Sequence, residues 1–290
     1  MDDKKTLEES ILAELEKTGY PTEILTAALL EQHGWGTIHN PSYLDDTENI
    51  SREFDVRAYQ NIAREADSKT FSLGIYLIIE CKKSDKPWVF FTTPAKVAIS
   101  RRRNLGKLLV SPYDHQRRIL WSEYADKTPI VSDDAWRSFH HYFQQERWGR
   151  TYYEPFKKQE RGERSPLIYT AVSSATKAAL FHLKDFTVRG SWIPIYYPII
   201  VFDGEIFDAQ VHGKGATSLL PSNHIVLNHH YMTPNRGSSR RQAESHELLI
   251  DVVRESYLDE FLTLIQREHQ ILADMFTAPL AQGRLDKPHQ

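Results

Sequence analysis

Cysteine is almost missing from this chain. Cys81 stands alone among 290 residues, so an intramolecular disulfide and a cysteine-based zinc site are both excluded, and a reducing compartment such as the cytoplasm fits. Long apolar runs are missing too. No stretch approaches the ~20 apolar residues of a membrane-spanning helix, and Met1 to Lys5 carries no apolar signal core, so a soluble intracellular protein with no membrane partner is expected. Glycine-rich phosphate loops, nucleotide fingerprints and internal repeats are absent, so no ATP-driven activity is expected from this chain alone. Positive charge is not in excess either. With 36 Lys and Arg against 39 Asp and Glu, the net charge is −3, which argues against nonspecific coating of nucleic acid but leaves room for a local basic groove. What is present is a chain that is 40% apolar, enough for one substantial core, or one core with a large insertion.

Two segments organise the rest. Arg52 to Ala58 alternates Phe54, Val56 and Ala58 with Asp55 and Arg57, the period of a strand. Ile75 to Lys83 is apolar until it reaches Glu80-Cys81-Lys82-Lys83, and the apolar run from Leu73 to Ile79 implies a buried strand that delivers its charges at one end. Residues two apart on a strand share a face, so Glu80 and Lys82 point together and Cys81 points away. If the two strands pair, Asp55 lies beside Glu80. Two carboxylates and one ammonium then share a patch whose repulsion a divalent cation relieves. Magnesium suits such a patch, because it takes hard oxygen ligands at about 2.1 Å and keeps waters for a substrate phosphate to replace.

This arrangement resembles the PD-(D/E)XK nuclease superfamily, the restriction-endonuclease-like fold. The matching residues are Asp55 on the first motif strand and Glu80-Cys81-Lys82 as the E-x-K element on the next. Phe54 stands where the motif's proline would be. The resemblance implies an α/β fold, a mixed sheet with an αβββαβ core, and a Mg²⁺-dependent endonuclease acting on DNA, with Mn²⁺ as an alternative ion. It assigns Asp55 and Glu80 to the metal and Lys82 to positioning the attacking water. It also implies a glutamate on the preceding helix. Glu23 and Glu31 are both available there, and the spacing to Gly34-Trp35 favours Glu23. Restriction, repair and phage defence are the superfamily's settings. The rival reading is a catalytically inactive member of the fold that binds nucleic acid or assembles with partners.

Around this core, Leu7, Ile11, Leu12 and Leu15 predict an N-terminal helix within residues 1–18. Pro21 opens a second, largely apolar helix that runs to His33 and stops at Gly34. Thr37 to Tyr43 is expected as the first strand, Asn61 to Thr70 as a loop between the motif strands, and Trp88 to Thr92 as a further strand or strand extension. From 96 to 164 the chain holds 15 Lys and Arg against 9 Asp and Glu, interleaved with aromatics. That composition reads either as a substrate-holding insertion or as an irregular segment with solvated charges. Lys83, Arg101, Arg102 and Arg103 are the candidate phosphate contacts. Leu167 to Leu183 predicts a helix whose small Ser173 and Ser174 allow close packing. Trp192 to Phe202 and Glu205 to Ala209 are expected as strands joined by an Asp203-Gly204 hairpin turn. His224 to Tyr231 and Leu248 to Val253 follow as strands, and the histidines at 224, 229 and 230 read as surface residues more readily than as a zinc site. Ser256 to Asp259 resembles a capping box opening a helix to about Phe276, with an apolar face suited to the core or to a homodimer partner. The nuclease-like domain is expected to span 19–277, with 278–290 as a polar tail.

Overall fold

The computed structural model describes residues 6–45, 48–66, 69–95, 140–156, 166–184, 192–234 and 243–281. Five α-helices occur among them: α1 (Leu7–Leu15), α2 (Tyr20–Gln32), α3 (His141–Gln144), α4 (Leu167–Lys184) and α5 (Leu258–Ala281). The strands are β1 (Gly36–His39), β2 (Ser42–Asp45), β3 (Ile50–Glu53), β4 (Val56–Ala66), β5 (Lys69–Lys83), β6 (Trp88–Pro94), β7 (Arg147–Tyr153), β8 (Trp192–Asp203), β9 (Ile206–Val211), β10 (Thr217–Ser222), β11 (His224–Pro234) and β12 (Ala243–Arg254). Ten of them form one mixed sheet in the order β1-β4-β5-β8-β12-β11-β7-β6-β9-β10, and β2 and β3 pair as a separate hairpin.

The site rests on the first part of that sheet. β1 pairs antiparallel with β4 and β4 antiparallel with β5, and β8 then lies parallel to β5. Because β5 is covered on both faces, its side chains are apolar in succession. Leu73, Ile75, Leu77 and Ile79 join one core with α2 and α5, while Ile78 joins another beneath α4. β8 tolerates Pro194 and Pro198 inside the sheet because its pairing with β12 starts only at Ile199, beyond the positions that lack an N–H.

Several expectations need correction. Arg52 to Ala58 is not one continuous strand. β3 ends at Glu53 and β4 begins at Val56, so Phe54 packs with Tyr43 under α4 while Val56 and Ala58 face the α2/α5 core. Thr37 to Tyr43 is likewise split, at Asn40, whose φ of 48° turns the chain from β1 into β2. Asn61 to Ala66 continues β4 and pairs with β5 from Lys69 onward; its polar side chains had suggested a loop, but backbone pairing with a strongly strand-forming partner overrides them.

The Asp203-Gly204 pair makes no hairpin, because β8 and β9 are not neighbours. Here glycine is required for room: a Cβ would come within 2.5 Å of the Phe202 ring and 2.7 Å of the Ser84 carbonyl oxygen. The β5–β6 and β8–β9 connections run side by side, joined by Ser84 N–H to the Asp203 carbonyl and Trp88 N–H to the Glu205 carbonyl. Arg147 to Tyr153, expected within the insertion, is a strand of the main sheet. Of the remaining segment, residues 96–139 and 157–165 lie outside the described residues.

The helices follow their sequence signals more closely. Pro21 sits in the first turn of α2, and Gly34, at φ 77°, follows its end. α2 buries Ala27 and Leu30 but exposes Ile24 and Leu25, so it is half a core helix. No residue of α1 is buried. α5 buries Leu258, Phe261, Leu262, Ile265 and Leu272 in the core. A 3₁₀ turn at Glu255–Tyr257 leads into it where a capping box was expected.

Candidate functional site

The register between β4 and β5 brings the sequence-selected residues together. Val56 lies opposite Ile79, so one step further the chain sets Asp55 beside Glu80. Asp55 is anchored there by the Cys81 N–H, which donates to its Oδ2 at 2.6 Å. The Lys82 ammonium donates to Asp55 Oδ2 at 3.2 Å, to Glu80 Oε2 at 2.7 Å and to the Cys81 carbonyl at 2.9 Å. All three ammonium donors are therefore spent on oxygens of one small patch. Cys81 points to the other face, where its thiol meets Thr26 Oγ1 of α2, and burial pushes its pKa up.

Charge is unbalanced in this patch. Burial pushes the Glu80 carboxyl up to about 7; Lys82 pulls against that shift and Asp55 adds to it. Burial works against the Lys82 charge, yet Glu80 and Asp55 outweigh it and hold the ammonium above the ordinary lysine range. Glu23 of α2 is also raised, first by burial and then by the Asp55 carboxylate. It is thus the helix glutamate near the patch. Glu31 is turned away, accepting from Thr37 Oγ1 at 2.5 Å.

The patch opens into a cleft of roughly 630 Å³ between the β2–β3 hairpin and the first half of α4. Ser174 of α4 donates to Glu80 Oε1 and is hydrogen-bonded to Tyr43, whose pKa burial pushes up to about 12. The hairpin is tied to α4 through the buried Asp45, which accepts from Lys177 Nζ at 2.7 Å and Arg52 Nε at 2.9 Å. The cleft is lined by the carboxylates Glu48, Glu53, Asp55 and Glu80 and the cations Arg52, Lys82 and Lys177. A phosphate would meet net negative charge there unless a cation came with it.

Ser174, Lys177, Tyr43 and Asp45 were missed from sequence. The signal was available: Thr170, Ser173, Ser174 and Lys177 form a polar stripe at helical spacing in an otherwise apolar helix.

Other candidates fall elsewhere. Lys83 is engaged by Asp203 Oδ2 at 2.6 Å, and Arg101, Arg102 and Arg103 lie outside the described residues. Arg147 is held by Thr92, Arg150 by Thr93, and Arg150 also lies over the Trp148 ring, so these basic side chains brace β7 against β6. Of the three histidines expected at the surface, His230 is exposed and His229 half-buried, whereas the His224 side chain is 8% exposed and bonds Asp251.

Comparison with protein-family models, with curated proteins and with solved structures returned no match. Among the described residues, no helix is long and apolar enough to cross a membrane.

Proposed function

We propose that this protein is a divalent-metal-dependent nuclease of the PD-(D/E)XK type, hydrolysing phosphodiester bonds of DNA in the cleft between the β2–β3 hairpin and α4. One observation carries the reading. Asp55 Oδ2, Glu80 Oε2 and the Cys81 carbonyl all contact a single cation, the Lys82 ammonium, at the open end of a central strand. Three hard oxygens converging on one positive charge are the donor set that Mg²⁺ prefers, with coordination left over for water and phosphate. With the β2–β3 hairpin and the β6-α3-β7 segment set aside, the order α2-β1-β4-β5-α4-β8, with β8 parallel to β5, is compatible with the αβββαβ core that the resemblance implies.

Asp55 and Glu80 would hold the ion, with the Cys81 carbonyl as a third oxygen. When bound, Mg²⁺ supplies Lewis-acid polarisation of the phosphoryl group and a more acidic water. The remaining work falls to the chain. Lys82, freed from its carboxylates, sits on a four-carbon stem long enough to hold the attacking water and to offset charge on the phosphate. Ser174 fixes the orientation of Glu80, and the Cys81 N–H fixes that of Asp55. Glu23, kept partly desolvated, is suited to accept a proton or order a water at the edge of the site.

The test is incubation of the protein with supercoiled plasmid, linear duplex, single-stranded DNA and RNA in Mg²⁺, Mn²⁺ or EDTA. Cleavage of DNA that EDTA abolishes is the expected result. Chelator-insensitive DNA binding with no cleavage of any substrate would favour a binding module instead.

A further inference from the structure

The opposite face of the same sheet carries a second polar cluster that plays no part in the cleft. Asp251 of β12 lies opposite Ile199 of β8, and Ile199 opposite Ile79 of β5, two strand spacings or roughly 10 Å from β5. Its side chain is on the face that carries Ile79, under α5, while Glu80 and Lys82 occupy the other face. His224 opens β11 on that same side, across from Val253. His141, the first residue of α3, contacts both, with its ring centroid 5.5 Å from that of His224. His224 Nε2 stands 2.8 Å and His141 Nε2 3.0 Å from Asp251 Oδ1.

We propose that His141, His224 and Asp251 form a binding site for a borderline first-row divalent cation of the zinc class. Two imidazoles and a carboxylate are the ligand types such ions choose, and magnesium does not. The three donor atoms all lie within 4.8 Å of one another. A tetrahedral zinc at 2.0–2.1 Å needs its ligands about 3.3 Å apart, so the pairs measured from Asp251 need open by only a few tenths of an ångström. The surrounding contacts are those of a built site. Glu268 of α5 accepts from His141 Nδ1 at 2.7 Å and from its backbone N–H at 2.6 Å, which aims Nε2 at Asp251. The Tyr142 hydroxyl holds Asp251 Oδ2 at 2.8 Å. Outer partners of this kind fix the tautomer and orientation of metal ligands.

A second observation indicates unmet polar capacity in the same core. His269, fully buried beside Glu268 in the chain and packed on Tyr197, has no partner for either ring nitrogen. Buried polar atoms without partners call for an explanation, and a bound water or ion is one of the recognised kinds. His140, His141 and Glu268 are also close enough to share an ion, but using them would take Glu268 away from the nitrogen it orients. The set with His224 keeps every outer contact, and its partly exposed histidine gives an ion a way in. The bound ion would pin α3 to β11 and β12 and leave the cleft chemistry unchanged.

The experiment uses the full chain. The purified protein is stripped on a chelating resin, loaded with Zn²⁺ in the presence of a competing chromophoric chelator, and loaded separately with Co²⁺ to read the visible ligand-field bands. One equivalent of Zn²⁺, a tetrahedral Co²⁺ spectrum, and at least tenfold weaker binding in His224→Ala are expected. Unchanged stoichiometry and affinity in Glu80→Ala are expected as well, so failure here is distinct from failure of the nuclease reading. His224→Ala, at the rim, is checked for folding by circular dichroism, and Asp251→Asn serves as the second variant. Absence of stoichiometric Zn²⁺, or binding that survives His224→Ala but is lost in His140→Ala, would overturn the assignment.

Discussion

The two faces of the β5–β8–β12 region solve one electrostatic problem in opposite ways. On the α4 face, Asp55 and Glu80 share the Lys82 ammonium at the mouth of an open cleft, with the Lys82 and Asp55 side chains each 19% exposed. On the α5 face, Asp251 and Glu268 flank the His141 imidazole in a closed core, where all three side chains are at most 3% exposed. Accessibility separates them. The first opens to solvent through a cleft of roughly 630 Å³, whereas the second is enclosed in the core. A pair of acids around one base therefore does not by itself signify catalysis; the open cleft beside it is what makes the first a candidate active site.

The largest expected effect belongs to the open face. Lys82→Ala is expected to lower DNA cleavage by about 10²–10⁴-fold, measured as initial rates at saturating Mg²⁺, while circular dichroism stays that of the parent. The closed face answers in stability. Asp251→Ala strips His141, His224 and Tyr142 of a shared acceptor and is expected to cost about 3–5 kcal/mol by urea unfolding. If Asp251→Ala instead lowered turnover and left stability unchanged, the contrast between the faces would be lost.

Ser174→Ala sharpens the comparison at intermediate size. It removes a donor from Glu80, and a loss of about 1–2 kcal/mol is expected, read as weaker Mg²⁺ activation by titration. The pH dependence follows from Glu80, whose carboxyl is raised from 4.5 to about 7, first by burial. The folded state binds this proton more tightly than the unfolded one. Stability of the metal-free protein should therefore fall as pH rises between those two values. Mg²⁺ replaces the proton, so the gain in Tm on adding Mg²⁺ should grow from pH ~5 to pH ~7.5. A gain that shrinks over this range would remove Glu80 from the ion's ligands. The smallest effect is expected at an exposed position: Leu12→Ser, on α1, where no residue is buried, is expected to change stability by less than ~0.5 kcal/mol.

What was legible in sequence follows from distance along the chain. Glu80 and Lys82 are two apart on a strand, so their common face is dictated by the pleat, and Asp55 reaches them through a single antiparallel register. The α5 cluster draws on residues 141, 224, 251 and 268 from four elements, and no local pattern announces their convergence. Local signals also misled where tertiary packing prevailed. Asp203-Gly204 has a hairpin's residues, yet serves a close crossing against Phe202 and Ser84. The alternation through Phe54 and Val56 conceals a break that sends them to different cores. Ser173 and Ser174 signal close packing by their small size, yet Ser174 also contributes its hydroxyl to Glu80.

The most direct measurement is the time course of supercoiled plasmid relaxation by the parent and by Lys82→Ala in Mg²⁺. Relaxation by the parent that stops on chelation, with none above background for the folded variant, is the expected result. Equal rates for the two proteins would contradict the claim that Asp55, Glu80 and Lys82 form a working site.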